Sequence, residues 1–115
     1  MRVVGVGVEL VAVGAAQGED AAFTERELAQ ARGRSHPEEF LAGRRAIKRA
    51  VLKAAGLGGS LSERDVECLD DKAGAPRVSH EGRLATAFAA AGISEVLVSL
   101  SNEGGLVAAL AVAQG

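Results

Sequence analysis

The sequence predicts an α+β fold, and three observations carry that expectation. The chain opens on a Val-rich run, Val3 to Val13, interrupted by Gly5, Gly7 and Glu9. A long amphipathic segment follows, bounded by Pro37 and Gly56, the residues that start and stop helices. Two apolar runs then flank Asn102-Glu103-Gly104-Gly105 near the C-terminus, the pattern of a hairpin.

Taken in order, Arg2 to Val13 reads as a buried strand because Val dominates it. Gly14 to Ala22 has no periodicity and reads as a short loop. Thr24-x-x-Glu27 is a capping box, in which a hydroxyl and a carboxylate satisfy each other's backbone N–H groups, and it opens a short helix, Glu25 to Ala31. Pro37 fits a first helical turn with Ser35 or His36 as its cap, and the helix runs to Ala55. Gly58-Gly59-Ser60 is a flexible connection. Asp65 to Asp70 and Ala75 to Ser79 read as strands around the turn Asp71-Lys72-Ala73-Gly74, and Glu81 to Ala91 as an Ala-rich helix stopped by Gly92. Glu95 to Ser101 and Leu106 to Ala113 form the closing hairpin.

Composition narrows the function classes. The 115 residues fit one domain, 1–115, and with no Trp, no Tyr and only three Phe its core must come from Val, Leu and Ala. Small cores of this kind gain burial by oligomerising. A net charge of −2 argues against a general nucleic-acid binder. A lone cysteine excludes an intrachain disulfide and suits a reducing cytoplasm. The N-terminal apolar run contains Glu9 and is too short to span a bilayer, so no membrane association is expected and the protein reads as cytoplasmic.

The run Phe40-Leu41-Ala42-Gly43-Arg44-Arg45-Ala46-Ile47-Lys48-Arg49-Ala50-Val51-Leu52-Lys53-Ala54 resembles the central helix of the holo-acyl-carrier-protein synthases, the small 4′-phosphopantetheinyl transferases. Their pattern reads roughly Arg-Phe-Ala-Ala-Lys-Glu-Ala-x-x-Lys-Ala. Val4-Gly5-Val6-Gly7-Val8-Glu9-Leu10-Val11-Ala12 is similar to the family's Gly-Ile-Gly-Thr-Asp-Ile-Val-Glu opening. Phe23-Thr24-x-x-Glu27-Leu28, Arg32-Gly33-Arg34 and Val98-Ser99-Leu100-Ser101-Asn102 follow in family order. Each motif is weak alone; their order and spacing across most of the chain make the signal. The resemblance implies a 4′-phosphopantetheinyl-transferase-like fold and a homotrimer with sites between subunits, where CoA meets an acyl carrier protein.

The departures fall at the site. By the resemblance, Glu9 stands for a metal-binding Asp, Arg49 for a metal-binding Glu, Asn102 for an active-site His, and Ala12 for an acidic residue. The stretch between Ala12 and Phe23 is shorter than the family's, in a region that helps dock the carrier, so carrier binding is at issue along with catalysis. In the parent reaction a carrier serine attacks the pyrophosphate of CoA, and Mg²⁺ stabilises charge on the phosphate oxygens. With a guanidinium in a ligand position Mg²⁺ meets like charge, and no metal site is expected. Charge is nevertheless conserved: two carboxylates plus Mg²⁺ sum to zero, and so do Glu9 plus Arg49. An Arg49–Glu9 salt bridge is therefore expected, or an Arg49 directed into a phosphate-sized cleft beside Lys48 and Lys53.

Arg45, Arg49 and Lys53 recur at i, i+4 and i+8 on one stripe of the helix, with Lys48 beside it. Phe40, Ile47, Val51 and Ala54 form the neighbouring apolar stripe. Two readings of the basic stripe stand: an anion site for the phosphate of CoA or phosphopantetheine, or a solvated and salt-bridged face. Cys68 alternates with Val66 and reads as core rather than nucleophile. His36 and His80 read as surface residues, and no His/Cys cluster has metal-ligand spacing. Gly5-x-Gly7 lacks the third glycine and following helix of a dinucleotide fingerprint. Ser99 and Ser101 have no nearby His for a triad. Glu103 reads as a turn carboxylate, with a new acid/base group at the site's rim as the alternative.

The leading functional expectation is a diverged homologue that recognises a phosphopantetheine-bearing ligand, acyl carrier protein or CoA, without normal Mg-dependent transfer. It would be a carrier partner or an enzyme repurposed for carrier-bound acyl chains in polyketide or fatty-acid biosynthesis. The alternatives are an active transferase using Glu9 alone for Mg²⁺, and a non-catalytic structural or interaction protein.

Overall fold

Strand β1 (Val3–Ala12) alternates in register with its neighbours so that Gly5, Gly7, Glu9 and Val11 share one face and Val4, Val6, Val8 and Leu10 the other. The two glycines decide what lies against the first face. A Cβ on Gly5 would stand 2.0 Å from the Ala54 carbonyl oxygen, and one on Gly7 2.0 Å from that of Ala50. Both carbonyls belong to the long helix α2 (Pro37–Ala55), which therefore lies almost in backbone contact with the strand. These coordinates are a computed structural model, which describes residues 2–14 and 20–115. The expected loop from Gly14 to Ala22 falls partly outside the described residues; its last three residues form a 3₁₀ turn, Asp20–Ala22.

The sheet is antiparallel in the order β1-β5-β4, with β4 (Glu95–Glu103) and β5 (Leu106–Gln114) forming the C-terminal hairpin. The hairpin loop is shorter than expected. Asn102 and Glu103 pair with Val107 and Leu106, leaving only Gly104 and Gly105 in the turn. Both glycines have positive φ, 58° and 79°, the backbone a two-residue turn demands and a side chain resists. On β5 the helix-facing positions are Val107, Ala109, Ala111 and Ala113, all buried. Small residues there and glycines on β1 let the face of α2 that carries Ile47 and Val51 approach the sheet; each is buried, contributing roughly 1.5–3 kcal/mol by removal from water.

Helix α1 (Glu25–Arg32) opens with the expected capping box, Thr24 N–H donating to Glu27 Oε1 at 2.9 Å. The cap of α2 is His36, which makes no side-chain capping bond, with Pro37 in the first turn; Gly56 ends the helix at φ 69°. The expected strand Asp65 to Asp70 is a correction. Ser62 donates to Asp65 Oδ2 from its amide at 2.9 Å and its hydroxyl at 3.1 Å, which winds Glu63–Asp65 into a 3₁₀ turn. Strand β2 spans only Cys68–Asp70 and pairs with β3 (Pro76–Val78), shorter than the expected Ala75 to Ser79. Helix α3 (Gly82–Ala91) covers one end of the core through Leu84 and Phe88. Among the described residues none covers the other face of the large sheet: Val8 and Leu10 stand 58% and 63% exposed, and Leu97, Leu106 and Leu110 join them. No helix among the described residues is long and apolar enough to cross a membrane.

Candidate functional site

Strand parity turns the Glu9 side chain toward α2, between the Gly7 contact and Val11. The helix answers with Lys53, whose Nζ lies 2.5 Å from Glu9 Oε2 and 3.3 Å from the Val8 carbonyl oxygen. One turn earlier, Arg49 Nη1 stands 3.9 Å from Glu9 Oε1, the salt-bridge reach expected from the sequence. The other edge of Arg49 faces a residue that sequence reasoning passed over. Its Nε is 3.4 Å from Glu63 Oε2, and Arg45 Nε donates to Glu63 Oε1 at 3.0 Å. The result is a ladder of alternating charge, Arg45–Glu63–Arg49–Glu9–Lys53, of which all but Arg45 line a cavity of about 640 Å³.

The signal for Glu63 was the Ser62-x-x-Asp65 pattern. Read as a cap it places Glu63 on a turn above α2; read as strand it leaves Glu63 unplaced.

Lys48 does not join the stripe on the cavity wall. It is fully buried and donates to Glu27 Oε1 at 2.6 Å, the Glu63 carbonyl at 3.1 Å and the Val66 carbonyl at 2.7 Å. Burial pushes its ammonium below its ordinary pKa, against the pull of Glu27 in the other direction. All three of its donors are thus directed at protein acceptors. Glu27 in turn accepts from the Cys68 amide at 2.9 Å, so the pair ties α1, α2 and β2 together.

Asn102 lies elsewhere again. Its Nδ2 donates to Glu39 Oε1 at 2.7 Å on the rim of a second cavity of about 600 Å³. There Arg34 and Arg44 both lie over the Phe40 ring, at 4.7 and 4.5 Å from its centroid, and both pair with Asp70. Phe40 is therefore a half-buried platform for two guanidinium groups rather than a member of the core stripe. Arg44 Nε is buried without a hydrogen-bond partner. The sequence carried a signal for this stacking, since Phe40 and Arg44 are i and i+4 on one helix. Within one chain, then, Glu9, Arg49 and Lys53 share one cavity, and Asn102 lines another.

Cys68 is buried, accepts from Arg44 Nη1 at 3.3 Å, and burial pushes its thiol up to about 11, which makes it a packing residue. His36, His80, Ser99, Ser101 and Glu103 are all exposed. Among the described residues no three His, Cys, Asp or Glu are grouped to hold a metal ion.

Both Glu9 oxygens face cations, and Glu63 is shared by two guanidinium groups. A divalent ion wants oxygen donors, and beside Glu9 it would stand against Arg49 and Lys53. Glu9 Oε2 is buried and, despite its closeness to Lys53, lacks an aligned hydrogen bond, so its acceptor capacity is not filled by the protein.

No family model matches the chain. Among curated relatives, the holo-acyl-carrier-protein synthase of Streptomyces avermitilis is 33% identical over the whole length of both chains. The chain belongs to the holo-acyl-carrier-protein synthase family. Its fold agrees: the structure of that synthase from Neisseria meningitidis superposes with a TM-score of 0.85, covering 98% of this chain and 99% of its own at 28% identity. The ACPS–CoA complex of Chronobacterium ammoniagenes matches with a TM-score of 0.81 at 27% identity, covering 95% of each chain. The expected α+β, 4′-phosphopantetheinyl-transferase-like fold is thereby established.

Proposed function

We propose that this protein transfers 4′-phosphopantetheine from CoA to a serine of an acyl carrier protein. The serine oxygen attacks the phosphorus next to the pantetheine, a new P–O bond forms, and the bond to the leaving 3′,5′-ADP breaks. The serine proton departs with solvent or a nearby base. The observation that carries the reading is the cationic edge formed by Arg49 and Lys53 at Glu9, where charge would build on the diphosphate. The names of the relatives support transfer over the non-transferring or repurposed homologue that the sequence put first, and the CoA complex of a relative supports CoA as donor.

The roles follow from position. Glu9 holds and orients Arg49 and Lys53, and Arg49 offers a planar fork to phosphate oxygens. Arg45 backs Arg49 through Glu63, while Lys48 supports the same turn from inside. Asn102 and the Arg34–Arg44 cavity lie apart from Glu9 in one chain; in the homotrimer proposed with this reading they would meet that cleft across a subunit boundary. The uncovered apolar face of the sheet supports such an assembly, since a patch of large aliphatic side chains favours a protein neighbour. A carrier-dependent reaction using CoA fits a cytoplasmic protein of one domain serving fatty-acid synthesis.

A second reading, CoA or carrier binding without transfer, is favoured by one observation: Glu9 already has cations at both oxygens. Mass spectrometry of apo acyl carrier protein incubated with this protein and CoA, with and without Mg²⁺, separates the two. Transfer predicts a gain of one phosphopantetheine on the carrier serine. An unmodified carrier in both buffers, despite measurable CoA binding, would sink the proposal in favour of the second reading.

A further inference from the structure

Among the described residues, four carboxylates line the two cavities, and three of them face cations. Glu9 meets Lys53 and Arg49, Glu63 is shared by Arg45 and Arg49, and Asp70 pairs with Arg34 and Arg44. Glu39 is the exception, since no cation among the described residues pairs with it. It is the third residue of α2, a position from which a glutamate can fold back onto the amide of the helix cap. Here the side chain crosses to β4 instead, where its Oε1 accepts from Asn102 Nδ2 at 2.7 Å. Its Oε2 accepts no hydrogen bond from any described residue. A neutral amide thus holds this carboxylate in place without cancelling its charge.

A carboxylate beside a cation is a poorer proton acceptor, because the cation stabilises its charged form. By that test Glu39 is the best base on either cavity wall. The Asn102 amide cannot take a proton at neutral pH, so the proton chemistry of the pair falls to Glu39. The transfer proposed above needs such a group, since the serine hydroxyl must lose its proton as the new P–O bond forms. We propose that Glu39 is the general base of the transfer, oriented by Asn102 and acting across the subunit boundary on the Glu9 cleft of a neighbouring copy. Glu39 takes the serine proton, and the serine oxygen bonds to the phosphorus next to the pantetheine. The 3′,5′-ADP leaves with the electron pair of the broken P–O bond, and Glu39 then returns the proton to solvent. The inference rests on the transferase reading and the homotrimer proposed with it, and adds the proton acceptor which that reading left open. Asn102 is a positioning residue. Arg34, His36, Arg44 and Asp70 are the other charged or titratable groups in the cavity.

Single-turnover conversion of apo to holo carrier by the intact protein, followed across pH at saturating CoA, tests it. The wild-type rate should rise with pH as a carboxylic acid loses its proton. Glu39→Gln keeps an acceptor for Asn102 but removes the base. Its rate should fall on the order of a hundredfold, the range for a lost general base, and the acid limb should vanish. Thermal melting should show it folded, and calorimetry should show it binding CoA no more weakly than the wild type. Glu39→Asp should keep part of the rate together with the limb. Asn102→Ala removes a donor to the ionised carboxylate, so the limb should move to higher pH, a shift that a merely structural role would not produce. A folded Glu39→Gln that forms holo carrier at the wild-type rate overturns the assignment and leaves the transferase reading standing. So does an acid limb that survives in Glu39→Gln and vanishes in His36→Gln. A wild type that forms no holo carrier defeats that reading and the base with it.

Discussion

Lys48 and Arg49 are adjacent on α2 and each pairs with glutamate, yet they live in opposite surroundings. Lys48 and Glu27 are both 0% exposed, and every donor of the ammonium meets an acceptor, one on α1 and two from the turn Glu63–Asp65 and its cap Val66. Arg49 is 38% exposed, spans two carboxylates at 3.4 and 3.9 Å, and borders a cavity. A helix turns about 100° per residue, so consecutive cations cannot share a face, and the core claims one of them. The lesson is that an identical charge pair reads as scaffold or as site according to whether water can reach it. A buried pair is fixed because breaking it strands a charge; a half-exposed pair stays open to water and is weakly held.

The comparison breaks most visibly by mutation at those two positions. Lys48→Met should cost about 3–5 kcal/mol, because Glu27 is left charged and unpaired in the interior. Adding Glu27→Gln should return part of that loss. Arg49→Ala should cost no more than about 1 kcal/mol, the range of exposed ion pairs, while impairing ligand binding. Urea unfolding of the three variants checks the ordering; equal destabilisation by Lys48→Met and Arg49→Ala would erase the distinction between the regions.

A smaller effect is expected where strand and helix touch. Gly7→Ala places a methyl against the Ala50 carbonyl, with backbone on both sides and nothing flexible to yield. The strand must lift from α2, at about 1–3 kcal/mol for overpacking, and Glu9 must move away from Lys53 with it. Thermal melting should show the loss and CoA titration a weakened site. A stable Gly7→Ala protein with unchanged affinity would mean that this close approach does not position Glu9.

The smallest effect sharpens the view of the exposed end. Burial pushes the Glu67 carboxyl up, but hydrogen bonds from Arg26, Thr24 and Ser79 outweigh it and hold the group below its ordinary value. The Ala75 amide, with Arg77 and the Ala73 amide, does the same for Asp71. Both are lowered in the fold, so the unfolded chain binds more protons in acid. Their stabilisation is complete above the ordinary carboxylate pKa of ~4 and is lost as pH falls through the lowered values. The melting temperature should therefore fall in that acid window, and Glu67→Gln should make the fall shallower. An acid limb unaltered in Glu67→Gln would remove Glu67 from the account.

Much of the scaffold was legible because its signals are local. Pro37 and Gly56 bound α2, Thr24 with Glu27 caps α1, and alternation turned Glu9 toward the helix. The Glu9–Arg49 contact came instead from the family resemblance, which placed both residues at one site. Local rules did not place Lys48, whose depth depends on the turn Glu63–Asp65 closing over it, nor Glu63, which was left outside every expected element, just before the expected strand Asp65 to Asp70. They also did not separate Asn102 from Glu9 into different cavities, a matter of how the hairpin end lies against α2.

By itself, the sequence determined the α+β order, the helix and strand boundaries to within a few residues, the family, and the stripe of cations. The order, the boundaries and the stripe follow from backbone preferences and periodicity, which act over neighbouring residues; the family follows from the resemblance of its ordered motifs. Only the tertiary structure decided which cation is buried with Glu27, which carboxylate bridges Arg45 and Arg49, and how close β1 lies to α2. Each of these depends on solvent access and on partners 14 to 21 residues or more away in sequence. Burial sets the cost of a charge, and burial is a property of the packed chain rather than of any segment of it.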